Sequence, residues 1–184
     1  MSQLYERELK GILMADPDVL ARVTKNLPQE EALRYMRIMN KPFVVVRAAG
    51  SFGIDMAVVG TVSFLVEEKS SVDGTYNFNA PMVKEQAAKL KDLCSRAGIP
   101  PVYAFRLKNL RGRDPWRLFS MEIVPDALEG YHRLFYEKLP KLEFTKNGNY
   151  IMYWEKGRPL NEFIDWSVTI RTRPKMEEGR CPTS

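Results

Sequence analysis

The sequence predicts an α/β fold in which a central mixed sheet is flanked by helices. Helical periodicity fills the first forty residues and returns over residues 82–97, whereas β-rich runs occupy residues 43–69 and 102–124. This order of helices, strands, helix and strands is typical of one mixed sheet with helices packed against it. The length of 184 residues fits one domain. We place it at residues 1–170 and expect residues 171–184 to form a flexible polar tail.

Three helices are predicted before the first strand. The first has an apolar face formed by Tyr5, Leu9, Ile12 and Leu13. Asp16 and Pro17 have the character of an N-cap and a first-turn proline, so a second helix begins there. Pro28 begins a third helix, in which Met36 and Met39 lie on the predicted apolar face. These two helices occupy about residues 16–40.

The strand predicted from Val62 to Lys69 has the pattern of a central strand. Phe64 and Val66 lie on one of its faces and Leu65 lies on the other, so both faces are apolar and both are expected to be buried. Further along, Lys146-Asn147-Gly148-Asn149 stands between two β-rich runs and predicts a hairpin.

The composition excludes few classes of function. The 28 Lys and Arg residues outnumber the 23 Asp and Glu residues by 5, which suits a polyanionic partner without proving one. His132 is the single histidine, so a zinc site of the usual kind is not expected. The charged N-terminus is not a signal peptide, and no apolar run has the length of a membrane span. We therefore expect a cytoplasmic protein without a membrane partner.

One set of charged residues indicates chemistry. Asp55 opens one predicted strand, Glu67 and Lys69 share a face at the end of the next, and Glu6 lies beside the apolar face of the first helix. Charges at the end of a buried strand need partners or a metal. Carboxylates brought together repel each other, and a divalent cation such as Mg²⁺, which prefers oxygen ligands, removes that repulsion. A lysine beside them can stabilise charge in the transition state of phosphodiester hydrolysis.

By itself this pattern of Asp, Glu and Lys is weak, because acidic and basic residues are common. The alternative is that Glu67, Glu68 and Lys69 form a solvated strand end. The apolar strand that they terminate and the Gly/Ser loop before Asp55 favour the catalytic interpretation.

Ordered motifs along the chain resemble those of the archaeal Holliday-junction resolvases of the PD-(D/E)XK nuclease superfamily. The similarity covers most of the chain. The motifs are Glu6-Arg7-Glu8-Leu9, Val44-Val45-Val46-Arg47-Ala48-Ala49-Gly50-Ser51, Asp55, Val66-Glu67-Glu68-Lys69-Ser70 and Asn147-Gly148-Asn149-Tyr150. The resemblance implies a restriction-endonuclease-like core, four-way DNA junctions as substrate, Mg²⁺ or Mn²⁺ as cofactor, and a homodimer that makes two symmetric nicks.

The resemblance also implies roles for individual residues. Glu6, Asp55 and Glu67 match metal ligands, Lys69 matches the catalytic lysine, and Ser51 matches a serine of the catalytic loop. Arg7 and Arg47 match basic residues used for DNA binding or catalysis. Two features depart from the family: the helices at about residues 16–40 form an insertion, and Ile54 replaces the usual proline. The insertion keeps open a different nuclease of the superfamily, of repair or restriction type, and a catalytically inactive DNA-binding protein is the third alternative.

Further residues are candidates for DNA binding, each with a structural alternative. Gln86 lies on the apolar face of the helix at residues 82–97, where it either serves the active site or bonds to the backbone. Lys84 beside it either contacts phosphate or is solvated. A basic and aromatic cluster follows, in which Arg106, Arg111 and Arg113 lie near Trp116. It is either a phosphate-binding surface, whose affinity would depend on salt, or an ordinary exposed loop.

Overall fold

The structure is a computed structural model that describes residues 2–48, 54–124 and 127–172. The helices are α1 (Ser2–Leu13), α2 (Pro17–Thr24), α3 (Gln29–Met36), α4 (Pro81–Ala97), α5 (Gly130–Lys138) and α6 (Leu160–Thr172), with short 3-10 helices at Arg37–Asn40 and Trp154–Lys156. The strands are β1 (Val44–Arg47), β2 (Met56–Val59), β3 (Phe64–Ser71), β4 (Thr75–Asn77), β5 (Pro101–Leu107), β6 (Trp116–Ser120), β7 (Glu143–Phe144), β8 (Tyr150–Tyr153) and β9 (Arg158–Pro159).

Six of the strands form one mixed sheet, in the order β1-β2-β3-β5-β6-β9. The β3–β5 pair is parallel and the other pairs in this sheet are antiparallel. The predicted fold class is therefore confirmed: this is an α/β protein with a mixed sheet flanked by helices. A smaller sheet, in the order β4-β8-β7, contains the predicted hairpin around Gly148.

The central position predicted for β3 is also confirmed. Phe64 and Val66 face a core that includes Leu9, Ile12 and Phe163, from α1 and α6. Leu65 faces the opposite core, which is built from α4 and the smaller sheet. Since apolar layers cover both faces of β3, the charged residues at its end are drawn into the protein interior.

The helices before β1 form as predicted, but the buried face of the third is different. Asp16 caps α2 by accepting hydrogen bonds from the N–H groups of Asp18 and Val19. On α3 and the turn after it, Tyr35 and Ile38 are fully buried. Met36 and Met39, which the sequence predicted on the apolar face, are exposed. The prediction was wrong because α3 packs beside α6, a helix that was not predicted.

The later part of the chain departs most from expectation. The strand predicted at residues 116–124 ends at Ser120, and both α5 and α6 were missed. Helix α6 continues to Thr172, so the first residues of the predicted tail are helical; residues 173–184 lie outside the described part of the chain. Within the described ranges, no helix combines the length and apolar character needed to cross a bilayer.

Candidate active site

Two carboxylates meet where β2 and β3 pair. Met56 lies opposite Val66, so extending this antiparallel register by one residue places Asp55 opposite Glu67. Backbone contacts hold Asp55 there: its N–H donates to the carbonyl of Val66 at 2.9 Å, and its Oδ2 accepts from the N–H of Glu68 at 2.6 Å. Residues opposite each other in a sheet share a face, so the two side chains are brought together.

Lys69 completes this group. Its Nζ lies 2.5 Å from Oε1 of Glu67, and the Lys69 and Glu67 side chains are only 13% and 7% exposed. The other carboxylate oxygen of Glu67, Oε2, is buried and accepts no hydrogen bond from any described residue. Burial of polar atoms without partners is costly, so this oxygen marks a position where a cation would be stabilised.

The electrostatics of the carboxylates agree with this geometry. Burial raises the pKa of Asp55 and of Glu67. The charge of Asp55 also raises the pKa of Glu67. The charge of Glu6 raises the pKa of Asp55, whereas the hydrogen bond from the Glu68 N–H lowers it. Burial lowers the pKa of Lys69, but the adjacent Glu67 more than compensates, so the net pKa is raised. Lys69 therefore stays protonated, and its positive charge lies beside the buried carboxylate of Glu67 and the half-buried carboxylate of Asp55.

Glu68 is a third carboxylate that the sequence analysis left without a role. It points to the opposite face of β3, is only 4% exposed, and its Oε1 has no hydrogen-bond partner among the described residues. Burial, followed by the charge of Asp55, raises the pKa of Glu68 to about 7. The alternation along the strand predicted that the Glu68 side chain points away from the face of Glu67. Its burial depends on the packing of α1 over that face, which the sequence pattern did not predict.

Glu6 lies near this group, but another residue engages its side chain. Its Oε2 is 2.5 Å from Nη2 of Arg47, and its charge contributes to the raised pKa values of Asp55 and Glu68. Arg47 was predicted to act in DNA binding or catalysis, and in the structure it binds Glu6 with its own side chain 37% exposed. The remaining predicted catalytic residue, Ser51, lies outside the described residues.

The carboxylates of the site have the chemistry of ligands for a divalent metal. In the described ranges, no three His, Cys, Asp or Glu side chains are grouped closely enough to hold a metal as they stand. Asp55 and Glu67 nevertheless offer carboxylate oxygens, the ligands that Mg²⁺ and Mn²⁺ prefer, and Oε2 of Glu67 lacks a donor. The pair fits a divalent cation, and Glu6 would have to turn from Arg47 to become a third ligand.

The other predicted DNA-binding residues are distributed over the surface. Arg7 and Lys84 are exposed, on α1 and α4, and Gln86 is half-buried on α4. Among the described residues, no hydrogen bond joins Gln86 to the carboxylates, and its role at the site stays a prediction.

The predicted basic and aromatic cluster is only partly a surface. Arg106 lies against α1: its Nε donates to Oε1 of Glu8 at 2.8 Å, and its guanidinium lies 4.4 Å from the centre of the Tyr5 ring. Trp116 is fully buried and donates to the same Glu8 oxygen at 3.0 Å, so it is not available to stack on DNA. Arg111 and Arg113 are exposed on the loop between β5 and β6.

Tyr76 is a neighbour of the site that the sequence analysis missed. Its ring centre lies 5.9 Å from Nζ of Lys69, and it belongs to β4, a segment taken to be a polar loop. A single aromatic residue in a polar run gives little signal, because its partner strand β8 is more than seventy residues away.

The fold and site define an α/β protein with a carboxylate pair and a lysine at the end of its central strand. No protein-family model and no curated protein matches this chain. Among solved structures, it is similar to Hjc, a Holliday junction resolvase from the archaeal hyperthermophile Archaeoglobus fulgidus, with 16% sequence identity and a TM-score of 0.46. The match covers 78% of this chain and 95% of that one.

Proposed function

We propose that the protein is a metal-dependent, structure-selective DNA endonuclease that resolves four-way junctions. The observation that carries the proposal is the pair of half-buried Asp55 and buried Glu67 beside Lys69, with one Glu67 oxygen lacking a hydrogen-bond donor among the described residues. Carboxylate pairs of this kind repel each other unless protonated or bridged by a cation. The sequence resemblance to the resolvases supplies the reaction and the substrate class.

Each residue of the group has a role in this proposal. Asp55 and Glu67 would hold Mg²⁺ or Mn²⁺, with Glu6 as a further ligand. The cation supplies a Lewis acid for phosphodiester hydrolysis. The protonated Nζ of Lys69 lies 2.5 Å from Oε1 of Glu67 and would stabilise the negative charge that develops on the phosphate. Arg47 orients Glu6 when no other ligand engages it.

The assembly follows from the reaction. Resolving a four-way junction requires two symmetric cuts, and each chain would supply the pair formed by Asp55 and Glu67. A two-fold dimer places two such pairs in symmetric positions. Contacts with phosphates and with the branched shape would give recognition, since these contacts do not depend on base sequence.

The test is cleavage of a labelled four-way junction and of a matched linear duplex, each with Mg²⁺, with Mn²⁺ and with EDTA. The variant is Glu67→Gln, and its matched control is Glu85→Gln, which changes an exposed glutamate on α4. We expect metal-dependent paired nicks in the junction alone, lost in Glu67→Gln and retained in Glu85→Gln. Equal cutting of both substrates would indicate a nuclease of repair or restriction type. No cutting of either would overturn the proposal and favour an inactive DNA-binding protein.

A further inference from the structure

A cavity of about 240 Å³ opens between the inserted helix α2 and the loop that joins β5 to β6. The residues that line it are rich in guanidinium groups. Its charged members are Arg22, Arg106, Arg111, Arg113 and Glu8. We call this cavity the arginine cleft.

Much of the positive charge in the arginine cleft is not neutralised by the residues that the structure describes. Oε1 of Glu8 already accepts hydrogen bonds from Arg106 and from Trp116. Among the described residues, neither Arg22 nor Arg111 forms an ion pair, and both are exposed. These two guanidinium groups are therefore available to an anion that enters the cleft.

Arg113 adds a third guanidinium group to the cleft, and its ion pair with Glu155 is weak. Its Nη2 lies 2.7 Å from Oε1 of Glu155, but the two side chains are 46% and 68% exposed. Exposed ion pairs of this kind contribute little, typically about 0–1 kcal/mol, so a phosphate can displace Glu155 at little cost. A guanidinium presents paired donors that match two phosphate oxygens.

The arginine cleft lies at the same end of the sheet as the carboxylate pair, but on the face covered by α1, whereas Glu67 and Lys69 project from the face covered by α4. Arg106 is the register partner of Ser70, which follows Lys69, and adjacent strands are about 4.8 Å apart. Helix α1 links the two places, because Glu6 lies beside Asp55 while Glu8 contacts Arg106. One bound nucleic acid could reach both places.

We propose that the arginine cleft binds phosphodiester groups of the DNA substrate, away from the phosphate that is cleaved. This inference rests on the proposed nuclease function and extends it by giving the inserted helix a role. Helix α2 supplies Arg22, and Asn26 follows it on the wall of the cleft. The cleft is smaller than the roughly 300–1,000 Å³ of typical small-molecule sites and strongly cationic, which favours a phosphate group over an organic ligand.

The experiment measures binding of a labelled four-way junction by fluorescence anisotropy over a series of salt concentrations, with EDTA present to prevent cleavage. The variants are Arg22→Ala and Arg111→Ala, and Arg22→Lys retains the charge. The matched control is Arg96→Ala, which removes an exposed arginine on α4, against the other face of the sheet. Circular dichroism and thermal melting check that each variant is folded.

Each lost phosphate contact should lower the magnitude of the slope of log K against log[salt] by about 0.9. We expect this loss in Arg22→Ala and in Arg111→Ala, little change in Arg22→Lys, and none in Arg96→Ala. If the wild type binds and cleaves the junction but both alanine variants keep its slope, the proposal for the arginine cleft is wrong and the proposed nuclease function stands. A wild type that neither binds nor cleaves DNA would overturn both proposals together.

Discussion

Asp114 offers the sharpest test of how α3 is attached to the sheet. Its carboxylate is 1% exposed. Oδ1 accepts from the hydroxyl of Tyr35 at 2.7 Å and from the N–H of Trp116 at 2.9 Å. Oδ2 accepts from the N–H and side-chain amide of Asn161 at 2.9 and 2.8 Å. One carboxylate thus joins α3, β6 and α6.

Replacing Asp114 by alanine leaves all four donors without this acceptor. Each buried donor that loses its partner costs roughly 1–3 kcal/mol. The two backbone N–H groups, of Trp116 and Asn161, cannot rotate away, whereas the Tyr35 hydroxyl and the Asn161 amide have some freedom to find other acceptors. Counting the two backbone donors fully and the others in part, we expect Asp114→Ala to lower the free energy of unfolding by about 3–5 kcal/mol.

The assay is equilibrium urea denaturation followed by tryptophan fluorescence. Glu155→Ala is the matched control, because it removes an exposed acid that pairs with Arg113, and its effect should stay below about 1 kcal/mol. If Asp114→Ala does not fold, Tyr35→Phe removes a single donor and should cost roughly 1 kcal/mol. An Asp114→Ala variant no less stable than Glu155→Ala would refute this account of the network.

Three further predictions concern other parts of the molecule. Millimolar Mn²⁺ should raise the melting temperature of the wild type, because a ligand that binds the folded state stabilises it, and Glu67→Gln should abolish that increase. In a Cys181→Ser background, Cys94 should not react with a thiol reagent at pH 8 until the protein is unfolded, because burial raises its pKa to about 12. The thiol of an unfolded chain has a pKa of about 8.5. The contribution of Cys94 to the free energy of unfolding should therefore be complete below about pH 8.5 and decline as the pH rises toward 12. Urea titrations at several pH values in this range would measure the decline. Gly157→Ala should destabilise the fold by about 1–3 kcal/mol in the same urea assay, because a Cβ there would lie 2.5 Å both from Cβ of Arg117 and from the Phe119 ring. A neutral effect would show that β6 can shift away from residue 157.

Local sequence patterns predicted much of the secondary structure in the first two thirds of the chain. The periodicity of α1, the Asp16 cap of α2 and the apolar character of both faces of β3 depend on residues a few positions apart. The same alternation placed Glu67 and Lys69 on one face, where the structure has them 2.5 Å apart. The register of α3 could not be predicted this way, because Tyr35 is buried by α6 and bonded to Asp114 far along the chain.

The sequence by itself determined the fold class, the central strand and the set of residues that carry the proposed chemistry. Tertiary structure decided how those residues are partnered. Only long-range packing places Arg47 on Glu6, Arg106 on Glu8 and Arg22 across a cleft from Arg111. The physical reason is that periodicity reports which face of an element is buried, whereas the partner of a buried charge is set by elements that meet only when the chain has folded.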